Sequence, residues 1–238
     1  MSSNPSGKSS VLYPFAAYYF ALALIVTWVG FSQSYFVRIN QVSIYHHIHG
    51  ALAGAWILVL IIQPILYQRG QLELHRKIGR IAGYIIFPLL LLGGLKMIHS
   101  MLNSADAYPP GAVTRLAFLD FVSIILLICF FYQGISKAQQ LQLHARNMSM
   151  TVLIMLPPAI ARMLFLIPWF DSFYKTLNAS YGIIVLILGL LLLGDYKKGK
   201  IYPTYVLGIL GVAFMLISQN LVGDWQWWAN WMAAYAGL

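Results

Sequence analysis

Charge is what this chain has least of: only 9% of its 238 residues are Asp, Glu, Lys or Arg, where a soluble domain carries about a quarter. So few charges cannot clothe a surface of this size in water, and 60% of the residues are hydrophobic and 15% aromatic. The chain is therefore expected to sit in a lipid bilayer. Cysteine is nearly absent. Cys129 stands alone in an apolar run, which excludes a disulfide framework, a C-x-x-C redox motif and a covalent c-type haem attachment. Acids are scarcer than bases, six against fifteen, for a formal net charge of +9. The basic residues form no continuous stripe, so a nucleic-acid partner is excluded, and cations spread over loops are read as a topology signal instead.

What is abundant is apolar length. Runs of about 20 mostly apolar residues predict an all-α bundle of seven transmembrane helices over 12–37, 46–67, 76–101, 112–136, 145–167, 177–193 and 202–222. The connections are short, so 1–238 reads as a single transmembrane domain, with a polar N-terminal tail over 1–11 and a Trp-rich tail over 223–238. No small-residue cleavage pattern follows the first tail, and span 1 is read as retained. Ten cations (Lys8, Arg69, Arg76, Lys77, Arg80, Lys137, Arg146, Lys197, Lys198 and Lys200) fall on the face shared by the N-terminus and the 2–3, 4–5 and 6–7 loops, against five on the other. Short cytoplasmic loops are enriched in Lys and Arg, which predicts a cytoplasmic N-terminus and an outer C-terminus. The indoles of Trp225, Trp227, Trp228 and Trp231 then lie at the outer headgroup level.

Histidine is the informative residue, because all six lie near predicted helix ends. His46, His47 and His49 open span 2 and His99 closes span 3 on the outer side; His75 and His144 open spans 3 and 5 on the cytoplasmic side. The 24 residues from His75 to His99 rise roughly 36 Å in a helix, so two separate groups are expected. The outer group gains Lys96, one turn below His99, then Asp120 in span 4 and Arg162 in span 5 after Pro157-Pro158. Ionisable groups within a bilayer are functional candidates when they face the bundle interior.

Three chemistries suit that outer group. Imidazoles with a carboxylate suit a transition metal such as Fe, Cu or Zn. Two imidazoles from different helices could ligate a b-type haem, with Arg162 or Lys96 pairing a propionate. Without a metal, Arg162 and Lys96 could hold a small anionic, lipidic or quinone-like ligand. The leading expectation is a haem or metal redox site, and hence a membrane oxidoreductase, with His49 and His99 as ligands, His46 as the alternate, and Asp120 and Arg162 supporting them; the competing one is a metal-free sensory or binding module. Blander readings stand beside both: Asp120 and Arg162 as a structural ion pair, Lys96 snorkelling outward, and His75 and His144 as interfacial residues. On the cytoplasmic side, Gln63 reaches the level of His75, and a His75/His144 pair could hold a second haem, although an anionic-lipid patch explains those residues as well.

The order of motifs, with His46, His49 and Gly50, then His75, Arg76, Gly79 and Arg80, then Asp120, then His144, Arg146 and Met148, then Pro158, Ala159 and Arg162, resembles a group of bacterial multi-pass membrane proteins of no established activity. The resemblance covers spans 2 to 5 and implies a bacterial inner-membrane location. More distantly, helix-borne histidines on both faces are similar to membrane b-type cytochromes. Span 7 holds no lysine for retinal and no H-x-x-x-H pair, which excludes a rhodopsin and the seven-helix hydrolases related to adiponectin receptors. Transport ranks lower: no internal repeat stands out, although Pro157-Pro158 and Pro88 are expected to break or kink their helices.

Overall fold

A computed structural model describes residues 13–237, which form helices and no strand. The N-terminal tail and Leu12, at the start of predicted span 1, lie outside the described residues. Ten helices follow in order: α1 (Ala16–Gly30), α2 (Ile44–Gln68), α3 (Leu72–Ile81), α4 (Phe87–Leu102), α5 (Ala112–Ser136), α6 (Leu141–Met155), α7 (Pro157–Leu164), α8 (Phe173–Lys197), α9 (Pro203–Ser218) and α10 (Gln226–Ala236). Each of the seven apolar runs falls on one or two of them.

Four of these rods are long and apolar enough to cross a membrane: α2, α5, α8 and the continuous 31-residue rod Leu72–Leu102 made by α3 and α4. The pair α6 and α7 makes a fifth if its 42° bend lies within one span, while α1 and α9 are shorter apolar helices. Large apolar side chains line the outside of the bundle, with Leu92, Leu186, Leu190, Leu210 and Ile217 each at least 60% exposed. Water would not tolerate such a surface and hydrocarbon would. The protein is a helical bundle of the kind compatible with a multi-pass integral membrane protein.

The two prolines expected to break or kink their helices behave differently. Pro88 sits at the start of α4, directly after a π-helical turn over Ala82–Ile86. The wider turn accommodates the proline ring and the backbone hydrogen bond that proline cannot donate, so the rod continues. At Pro157-Pro158 no such turn intervenes, and the helix breaks. Gly70 and Gly199 take left-handed φ values of 70° and 76° where the chain turns from α2 to α3 and from α8 to α9, a conformation costly for residues with a Cβ.

Helix α6 is the hub. Met148, Met150, Thr151, Val152 and Ile154 are all buried, and they meet three neighbours. The Trp56 indole of α2 donates to Thr151 Oγ1 at 3.1 Å, Met150 lies against Gly208 of α9, and Met148 against Gly134 of α5. Glycines opposite long side chains let helix axes approach closely. Beyond the break, α7 leaves the axis and packs between α1 and α8. Gly30 of α1 meets the Ala159 backbone of α7 so closely that no Cβ could fit. The Trp-rich tail forms α10, docked across α4 and α5 by buried Trp228 and Met232. Trp228 Nε1 donates to Thr114 O at 2.9 Å and the Tyr235 hydroxyl to Leu95 O at 3.0 Å.

Candidate functional site

The helix directions gather two polar groups at opposite ends of the bundle. One is the basic end, where α2, α5 and α8 finish and α3, α6 and α9 begin. The other, the tryptophan end, carries α10.

At the basic end, Arg146 is buried at 5% exposure and forms a two-point ion pair with Asp195 of α8, itself 4% exposed. Arg146 Nε donates to Asp195 Oδ2 at 2.9 Å, and Nη2 reaches Oδ1. Its Nη1 donates to the Gln142 carbonyl at 3.0 Å, and also to Gln142 Oε1 and the Tyr13 hydroxyl. The Tyr202 ring covers the guanidinium at 4.0 Å, with Tyr205 and Tyr13 at 5.5 and 5.7 Å. In the sequence Arg146 stands among the loop cations, and Asp195, Tyr13, Tyr202 and Tyr205 carry no motif that singles them out. The scarcity of acids was the available signal: one of only six, ending an apolar run on the face where α6 begins, has reason to be paired.

The same end brings His75 and His144 together, with ring centroids 6.3 Å apart. Gln63 joins them as its level in span 2 suggests: its Nε2 donates to the His75 carbonyl at 3.2 Å, and His75 Nδ1 contacts the Gln63 carbonyl at 3.2 Å.

At the tryptophan end the expected histidines have separate surroundings. His46 Nδ1 pairs with Ser43 Oγ at 2.8 Å, and His47 Nδ1 with the Tyr35 hydroxyl at 2.8 Å. His49 packs against Gly93 of α4, its Nδ1 buried without a partner among the described residues. His99 instead lies among Lys96, Asn103 and Tyr235, with Lys96 Nζ at 3.4 Å from Nδ1 and the Tyr235 ring centroid at 5.8 Å. His49 and His99 thus contact different residues, and no group of three or more His, Cys, Asp or Glu able to hold a metal occurs among the described residues. Lys96 is exposed and lies over the Tyr45 ring at 5.2 Å.

Arg162 is the outstanding group there. It occupies the last turn of α7, with Phe31, the residue that follows α1, under its guanidinium at 4.5 Å, and Nη1 donates to Pro158 O at 2.9 Å. Although α1 and α8 flank its helix, the residue is exposed. Asp120, half-buried on α5, Tyr108 and His46 lie within its electrostatic range, yet among the described residues no carboxylate comes within ion-pair distance. A guanidinium has five N–H donors, and among the described residues the protein occupies one of them. The arrangement offers a forked cation to an incoming anion.

Set against family models, curated proteins and solved structures, the chain has no match in any of the three comparisons.

Proposed function

We propose that this is a seven-span membrane protein, of the bacterial inner-membrane kind its motifs resemble, that binds a small anionic or lipidic ligand at the tryptophan end through Arg162. The observation that carries the reading is an exposed guanidinium on a packed helix with no carboxylate partner among the described residues. A planar fork suits carboxylate or phosphate oxygens, and exposed apolar side chains such as Phe165 and Leu166 beside it suit an acyl chain. The cation asymmetry, ten against five, supports a cytoplasmic basic end and an outer tryptophan end. A haem or metal held jointly by His46, His49 and His99 fits less well, since Ser43 engages His46, Gly93 lies against His49 and Tyr235 against His99, and no group of three or more His, Cys, Asp or Glu able to hold a metal occurs among the described residues.

The test is a thermal-unfolding titration of the purified chain in detergent, with oleate in one series and inorganic phosphate in another. Wild type is expected to be stabilised by at least one of them. Arg162→Ala should weaken that response at least tenfold in apparent Kd, and Arg162→Lys should fall between, keeping charge but losing the fork. Asp120→Asn, which removes a nearby negative charge, should tighten it. Equal responses from wild type and Arg162→Ala, or none from wild type, would refute the reading.

A further inference from the structure

The basic end holds a second cluster that the Arg146 cage does not use. His144 Nδ1 lies 2.9 Å from the Gly134 carbonyl and His75 Nδ1 3.2 Å from the Gln63 carbonyl. A carbonyl only accepts, so each ring carries its proton on Nδ1, and each neutral imidazole keeps a lone pair on Nε2. Two further acceptors belong to adjoining side chains. Asn147, one turn along α6 from His144, is 2% exposed; its Nδ2 is given to Leu143 O, and its Oδ1 has no partner among the described residues. Gln63 has committed its Nε2 to His75, and its Oε1 is likewise buried and unpaired.

Two neighbouring imidazoles with free lone pairs, and unpaired amide oxygens on adjoining side chains, suit a cation. Imidazole nitrogen selects transition metals over calcium or magnesium, and an Nδ1–H held by a carbonyl is the contact that orients a ligating histidine. Two imidazoles on opposite sides of one metal, each bonded at about 2.0–2.1 Å, place their ring centres about 6 Å apart; His75 and His144 stand at 6.3 Å. We propose that His75 and His144 hold a transition-metal centre between α3 and α6 through their Nε2 atoms. No third His, Cys, Asp or Glu completes a metal group among the described residues, so the remaining positions fall to the Asn147 and Gln63 oxygens and water around a bare ion, or to the four nitrogens of a haem. This site lies at the opposite end of the bundle from Arg162 and stands independently of the ligand proposed there.

The full chain, stripped of metal in detergent, is titrated with Zn²⁺ by calorimetry and, in a parallel arm, with haemin by its Soret band. One centre per chain is expected in one arm, and the arm that responds distinguishes bare ion from macrocycle. His75→Ala and His144→Ala should each weaken binding at least tenfold. His47→Ala, whose ring is held by Tyr35 at the other end, should leave it unchanged. Where an Ala variant does not fold, His75→Gln and His144→Gln keep a hydrogen-bonding side chain, and melting curves without metal separate folding from binding. Saturable binding in neither arm, or binding undiminished in both histidine variants, overturns the proposal.

Discussion

The two ends of the bundle treat their charges in opposite ways. At the basic end, Arg146 is enclosed by a carboxylate, a glutamine and three tyrosines, and its charge is spent on holding α6, α8 and the start of α9 together. At the tryptophan end, Arg162 and Lys96 are exposed, and Asp120 pairs with neither among the described residues. Yet among the described residues the tryptophan end has the better balance, four acids (Asp106, Asp120, Asp171 and Asp224) for five cations, against two for nine at the other. Charge balance therefore does not decide pairing. What decides it is enclosure: a guanidinium sealed from solvent must have its counter-charge in place, whereas an accessible one can await an anion.

The largest effect that would break this contrast is loss of Asp195. Asp195→Asn strands a guanidinium in a site where both side chains are 5% exposed, and removing one member of a buried pair costs about 3–5 kcal/mol. Thermal unfolding in detergent should show a large drop or no folded protein; a near-wild-type melt would mean that the tyrosines alone satisfy Arg146. Next comes Gly30→Ala, which sets a methyl group into the Ala159 backbone. Main chain cannot swing aside, so α1 and α7 must part, at about 1–3 kcal/mol for such overpacking. The same change at Gly134 meets the flexible end of Met148 and should cost less, a ranking that the paired melting curves read directly. Smaller still is Arg162→Ala, expected within about 0.5 kcal/mol of wild type; a loss on the Asp195 scale would show that Arg162 is structural and erase the distinction between the ends. Smallest is Lys175→Ala. The Lys175 ammonium, 2.8 Å from exposed Asp171, holds that carboxyl below its ordinary range, so the substitution should move the Asp171 titration upward by NMR and leave the unfolding curve unmoved.

Much of the architecture was legible because apolar length, proline and glycine act locally. The seven runs coincide with helices, and the break at Pro157-Pro158 follows from two missing N–H groups. The kink expected at Pro88 does not break its rod, because a π-turn, which leaves no mark in composition, directly precedes the proline's helix. The meeting of His75 with His144 could be anticipated from their shared face and level. The divergence of His49 from His99 could not, since spacing gives axial height but not the direction a side chain takes toward a neighbour. Asp195 was hidden for a related reason: beside Lys197, Lys198 and Lys200 it reads as part of a solvated loop, and only the packing of α8 against the start of α6 turns it inward.

The break after Leu156 has an electrical consequence. An unbroken helix would run its aligned peptide dipoles through to a single distant terminus; the bend divides them, and the short α7 carries a dipole of its own with the negative end at its last turn. Arg162 sits in that last turn and donates a hydrogen bond to Pro158 O. Its positive charge is thus steadied by the peptide backbone itself, a partial negative charge that occupies little of the guanidinium edge. A side-chain carboxylate would have steadied it more strongly and blocked it; the broken helix keeps the cation in place and its edge open.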